Sequence, residues 1–139
     1  MVARVLLVVA ALAAAGFLAV QERAARATDR ITAAAIADPD PARLAAARAA
    51  LPTAERWNPD TIAAQDLATA EARAGQYEQA GERLLAVTRK EPENARPFQL
   101  LCSIAKRYDS DLAGTACARL RVLAPPVGSL NRSNGRSTR

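Results

Sequence analysis

The sequence predicts an all-α chain, in which an N-terminal transmembrane helix is followed by a short solenoid of about three antiparallel helix hairpins. Three observations lead to that class. Alanine, the strongest helix former, fills 35 of the 139 positions, while aromatic residues supply only 4%. An uncharged apolar run, Val5 to Val20, opens the chain. Beyond it Pro59, Pro92 and Pro125 recur 33 residues apart. Within each interval apolar residues fall three to four apart, the period of one helix face.

The first element spans residues 1–21. Its run VLLVVAALAAAGFLAV is apolar in every direction, with Arg4 before it and Gln21, Glu22 and Arg23 after it. A spanning helix needs about 20 apolar residues and a signal-peptide core about 7 to 15, so length alone leaves two readings. A signal anchor is one. The other is a cleaved signal with a mature end near Gly16 or Thr28, after the A-x-A patterns Ala13-Ala14-Ala15 or Ala25-Arg26-Ala27. The first cut would leave Phe17, Leu18 and Val20 on the mature end, and the second follows a charged stretch, so the anchor is the preferred reading. No glycine or proline occurs between Val20 and Asp38, and the helix is expected to run on into the body until the Asp38-Pro39 break. The arginine balance across the apolar run favours a cytoplasmic C-terminus, whereas the very short N-terminus with its early arginine favours an extracytoplasmic one. We take the extracytoplasmic orientation.

Residues 22–125 form the expected repeat domain, in units of about 28–59, 60–92 and 93–125. In the 33-residue frame Ala47, Ala80 and Ala113 align, as do Leu51, Leu84 and Cys117, and Ala54, Val87 and Leu120. Ala34, Leu67 and Leu100 form a further column, and Leu44, Tyr77 and Ser110 another. Each unit is expected to be two antiparallel helices closed by a proline-marked turn. Asp38 and Asp40 would cap a helix starting near Pro41, and Asp109 and Asp111 would do the same for the last helix. Pro52 should interrupt the second helix of the first unit. Trp57 would pack the inter-repeat turn, and 126–139 form a disordered basic tail.

The second unit, AGQYEQAGERLLAVTRKEPEN, resembles the tetratricopeptide repeat, a helix-turn-helix unit of about 34 residues. Gly75 and Tyr77 match the opening of the family's second helix, Ala80 its small packing residue, Leu84 and Val87 its next apolar positions, and Pro92 its closing proline. Leu67 and Ala68 match the large-small pair of the first helix, but Ala64 and Glu71 stand where the family has tryptophan and tyrosine. In the third unit Phe98, Leu101, Cys102, Ala113 and Pro125 fit without a glycine-tyrosine turn. The first keeps only Leu44, Ala47, Leu51, Ala54 and Pro59. The resemblance implies a concave surface, built from the first helices, that binds protein segments. Its matching positions are Gln65, Thr69 and Arg73, then Arg96, Gln99, Ser103, Lys106 and Arg107. Such a groove is polar and basic, suited to an acidic or C-terminal peptide. The two-carboxylate clamp of some relatives is not expected, because Gln65, Thr69 and Ser103 replace its lysines and asparagines.

Cys102 and Cys117 lie on the two helices of the third unit. They could pair in an oxidising compartment or remain two buried thiols, and a simple register places Cys117 about one turn, 5.4 Å, from the residue facing Cys102.

Composition narrows function further. The chain has no histidine and two cysteines, which removes histidine-based triads and imidazole or four-thiolate metal sites, so no cofactor and no enzyme activity is expected. The net charge is +5, yet between Ala27 and Pro125 thirteen acidic residues balance thirteen basic ones. The excess lies beside the apolar run and in the tail, which points to a membrane flank and away from nucleic acid. The expected function is a membrane-anchored scaffold or accessory subunit that binds another protein. The alternative is a secreted or periplasmic soluble form of the same binding module.

Overall fold

A computed structural model describes residues 2–38, 40–57 and 60–124. They form six helices and, among the described residues, no strand: α1 (Val2–Ile36), α2 (Pro41–Trp57), α3 (Ile62–Arg73), α4 (Tyr77–Lys90), α5 (Ala95–Ala105) and α6 (Ser110–Leu123). The all-α class is therefore observed. The chain divides into two compact units at Ala74–Gly75, which lies inside the second 33-residue repeat. The expected tail, the proline columns at Pro59 and Pro125, and the Trp57 side chain lie outside the described residues.

In the first unit α1 continues without a break to Ile36, as the lack of glycine and proline after Val20 suggested. Its two halves meet different surroundings. Leu6, Leu7, Leu12, Phe17 and Leu18 are each 60–71% exposed, whereas Ala24, Ala27, Ile31 and Ala34 are buried. The buried set is spaced 3, 4 and 3 residues apart, so it forms one stripe along the helix. On that stripe α1 packs against α2 and α3, which also pack on each other. Asp40 accepts the Ala42 N–H at 3.0 Å and starts α2. Leu44, Ala47, Leu51 and Ala54 bury the inner face of α2.

Pro52 does not interrupt that helix, contrary to expectation, and α2 runs through it to Trp57. Proline removes one N–H from the helical ladder, but its own side chain is exposed while its neighbours Leu51 and Ala54 are buried. Packing on either side holds the backbone helical.

The third helix is buried over most of its circumference, including Ala63, Ala64, Leu67, Ala68 and Ala70. Its polar side chains reach both neighbours. Thr32 Oγ1 donates to Asp66 Oδ2 at 2.9 Å, Arg48 Nε donates to Glu71 Oε1 at 2.9 Å, and Arg73 Nη1 donates to the carbonyls of Ala35 and Ile36. The last pair satisfies carbonyl groups that the end of α1 leaves without helical partners.

In the second unit Gly75, with φ +78°, makes the turn before α4, a conformation that other residues reach only with strain. Ala80, Gly81, Leu84 and Val87 form the buried face of α4, which packs on α5, and α5 packs on α6. Asn94 caps α5 by accepting the Arg96 N–H, and Asp109 caps α6 by accepting the Asp111 and Leu112 N–H groups. Asp111 itself lies in the first turn of α6, where its charge suits the helix dipole.

Cys102 and Cys117 form a disulfide between α5 and α6, with Cα atoms 4.9 Å apart. The offset anticipated from a simple register does not keep them apart. Cα atoms lie about 2.3 Å from each helix axis, so axes 8 to 10 Å apart bring facing Cα atoms to roughly 3.4–5.4 Å. The buried alanines Ala105, Ala113 and Ala116 permit that approach.

Candidate functional site

The eight residues implied by the repeat resemblance divide between the two units and meet different fates. Gln65 is 2% exposed. Its Nε2 donates to Thr61 Oγ1 at 2.9 Å, and its Oε1 has no hydrogen-bond partner. It therefore cannot act as an exposed groove residue in this structure, because it lies on the covered part of α3 beside Ala64 and Ala68, away from the open face of Ile62 and Arg73. Thr69 is half-buried and its hydroxyl donates to the Gln65 carbonyl. Arg73 is exposed, but its guanidinium is held on the end of α1. The three positions on α3 thus serve mainly the packing of their own unit.

The five positions on α5 and its following turn behave differently. Arg96, Gln99, Ser103, Lys106 and Arg107 are all exposed. Along α5, at 100° per residue, 96, 99 and 103 fall within an arc of about 60°, and Lys106 and Arg107 follow in the turn after it. The opposite side of the helix carries the buried Pro97, Leu101, Cys102, Ile104 and Ala105. The Ser103 hydroxyl turns back to the Leu100 carbonyl. The side chains of Arg96, Lys106 and Arg107 have no partner among the described residues. This exposed stripe carries three cations beside two neutral polar groups, and it suits a carboxylate-bearing partner through hydrogen bonds assisted by charge.

Two features escaped the sequence reading. Glu71 is fully buried and paired with Arg48, whose side chain is 38% exposed. The substitution that weakened the repeat resemblance is thus matched by a cation on α2. The signal was the 64, 67, 68, 71 spacing of the α3 stripe, which places Glu71 on an apolar face. The second is Tyr108, whose ring lies over Gly81. A Cβ at position 81 would come within 2.6 Å of Tyr108 Cζ and nearer still to its hydroxyl. Partial burial raises the Tyr108 pKa, and the carboxylates of Asp109, Glu78 and Glu82 raise it further.

Among the described residues no group of three His, Cys, Asp or Glu side chains is placed to hold a metal ion. Among the described residues one helix is long and apolar enough to cross a membrane, the segment Leu6–Ile36 within α1. The chain matches no known protein family, no curated protein and no solved structure.

Proposed function

We propose that this chain is a membrane-anchored protein-interaction module, a tetratricopeptide-like scaffold or accessory subunit whose body lies outside the cytoplasm. The observation that carries the reading is the division of α1. Its first half leaves Leu6, Leu7, Leu12, Phe17 and Leu18 uncovered, and the same unbroken helix then supplies the packed stripe Ala24, Ala27, Ile31 and Ala34. A contiguous apolar surface of this kind favours lipid over water. Cleavage near Thr28 would remove Ala24 and Ala27 from the first unit, which favours an anchor over the secreted form.

The disulfide supports an oxidising compartment. Gly75, Tyr77, Ala80, Leu84 and Val87 occupy turn, helix-start and buried positions compatible with the repeat resemblance. The α5 stripe is the proposed contact for an acidic segment of a partner protein.

Affinity capture from detergent-solubilised membranes tests the reading, with Lys106→Glu/Arg107→Glu as the paired variant. A partner recovered with the parent chain and lost with the double reversal supports it. Equal recovery with both proteins removes the stripe. A mature N-terminus at Gly16 or Thr28, read by mass spectrometry, removes the anchor.

A further inference from the structure

The first unit holds a cationic cleft just beyond the apolar run. It lies between α1 and α2, has a volume of about 490 Å³, and is bordered by Arg23, Arg26 and Arg30 over a floor that includes Ala27, Ala46 and Ala50. Through Arg23 and Thr53 it continues into a second hollow of about 380 Å³, bordered also by Val20, Pro52 and Arg56. Both volumes fall in the roughly 300–1,000 Å³ range of small-ligand sites.

The charges in this cleft are mostly uncompensated. Glu22 takes Arg26 as an i,i+4 pair. Arg23, Arg30 and Arg56 have no partner among the described residues. Of the other nearby carboxylates, Asp29 points away on α1 by helical spacing, about 120° from Arg23. Glu55 on α2 is half-buried and already engaged. Arg23 borders both hollows, with Arg30 on the first and Arg56 on the second, and guanidiniums disposed along one continuous cleft form a site for a phosphate, since the planar fork binds its oxygens in pairs.

Position selects the source of that phosphate. A span of about 20 residues ends near Glu22, so Arg23 stands at the hydrocarbon edge. Arg26 and Arg30 follow about 4.5 and 10.5 Å further along the helix. The cleft therefore opens in the head-group layer, and its apolar margin of Val20 and Pro52 adjoins the acyl region. An inorganic anion makes no use of that margin, whereas an amphiphile does. We propose that the α1–α2 cleft binds the head group of an anionic phospholipid, with Arg23, Arg30 and Arg56 on the phosphate and the alanine floor against the glycerol. This inference rests on the membrane reading above.

The test titrates phosphatidylglycerol or phosphatidylcholine into the detergent-solubilised full chain and counts bound lipid by native mass spectrometry. The parent chain is expected to prefer phosphatidylglycerol. Each arginine near an anionic surface is worth about a factor of five, so Arg23→Gln/Arg30→Gln/Arg56→Gln should weaken that preference about a hundredfold. Arg23→Lys/Arg30→Lys/Arg56→Lys, which keeps the charge but not the planar fork, should lose part of the preference and fall between the parent and the glutamine variant. Equal binding of the two lipids, or an unchanged preference in the glutamine variant, overturns the proposal. Competition by inorganic phosphate also overturns it, since the site would then be a general anion site. Alkaline carbonate extraction separates the two levels: a chain that stays in the membrane without lipid preference loses the cleft proposal alone. A chain stripped from the membrane loses both.

Discussion

Removing the guanidinium of Arg48 should cost far more than a half-exposed arginine ordinarily does. Its Nε lies 2.9 Å from Oε1 of Glu71, and the Glu71 side chain is fully buried. In Arg48→Met that carboxylate would remain among Ala64, Leu67, Ala68 and the other buried residues of α3 without its cation. Breaking a buried pair from one side costs about 3–5 kcal/mol. Arg48 is 38% exposed and Glu71 has further interactions, so the cost should fall just below that range, at about 2–3 kcal/mol. Glu71→Leu is expected to cost about 1 kcal/mol, since the freed arginine can turn to water. The double variant replaces both charges by apolar groups and should unfold close to the parent protein. The two changes must therefore couple by more than about 1.5 kcal/mol. Urea titration of the full chain in detergent micelles, followed by far-ultraviolet circular dichroism, measures all four proteins. A cost below about 0.5 kcal/mol for Arg48→Met, the range of ordinary surface changes, would refute the reasoning. So would a double variant whose loss equals the sum of the singles.

The disulfide closes a loop of sequence separation 15, so reduction or Cys102→Ala/Cys117→Ala should cost about 3 kcal/mol; thermal melts with and without reductant give the value, and intact mass gives the thiol count. Gly81→Ala gains up to about 1 kcal/mol of helix propensity but sets a methyl group into the Tyr108 ring, at about 1–3 kcal/mol for overpacking. It should destabilise the parent chain and stabilise a Tyr108→Ala background, a sign reversal readable by urea titration. For Tyr108 the raised pKa means the folded state holds the phenol proton more tightly than the unfolded state. Its contribution is whole below pH about 10 and is lost as pH rises through the folded value. Tyr108→Phe should remove that part of the alkaline loss, and ultraviolet titration of the parent and Phe variants checks the assignment.

Local chemistry was legible wherever one residue decides one backbone feature. Gly75 marks its turn, Asp40 and Asp109 mark helix starts, and the stretch after Val20 stays helical because nothing in it breaks a helix. What the sequence concealed depends on neighbours far along the chain. Pro52 reads as a breaker until burial of Leu51 and Ala54 outweighs one missing hydrogen bond. Gln65 reads as a surface group because the open face of its helix was expected to include it. Burial over most of the circumference of α3 draws the amide inside, where one of its polar atoms has no partner. Glu71 reads as degeneration of a motif, since only the fold brings Arg48 to it from 23 residues away. The α5 stripe was readable because one helix and the turn after it supply it: the polar and apolar residues of α5 alternate at helical spacing and need no distant partner.

The same contrast explains why α1 bears on function more than its length suggests. An anchor joined through glycine or proline would tether a body that turns freely, but no such residue occurs between Val20 and Asp38. Instead Ile31 and Ala34 are buried in the first unit, Thr32 is hydrogen-bonded to Asp66, and the carbonyls of Ala35 and Ile36 receive Arg73. To pivot about the proposed anchor, this unit would have to break α1 or strip its packed stripe. On the membrane reading the first unit therefore stands at a set angle to the bilayer, with the Arg23, Arg30 and Arg56 cleft facing the head groups. A lipid bound there would touch α1 and α2 together and favour the packed arrangement over any state in which they separate, because a ligand stabilises the form that binds it. Lipid composition would then act on the stability of the first unit itself, and an anionic bilayer should protect the amides of α2 from hydrogen exchange more than a neutral one does.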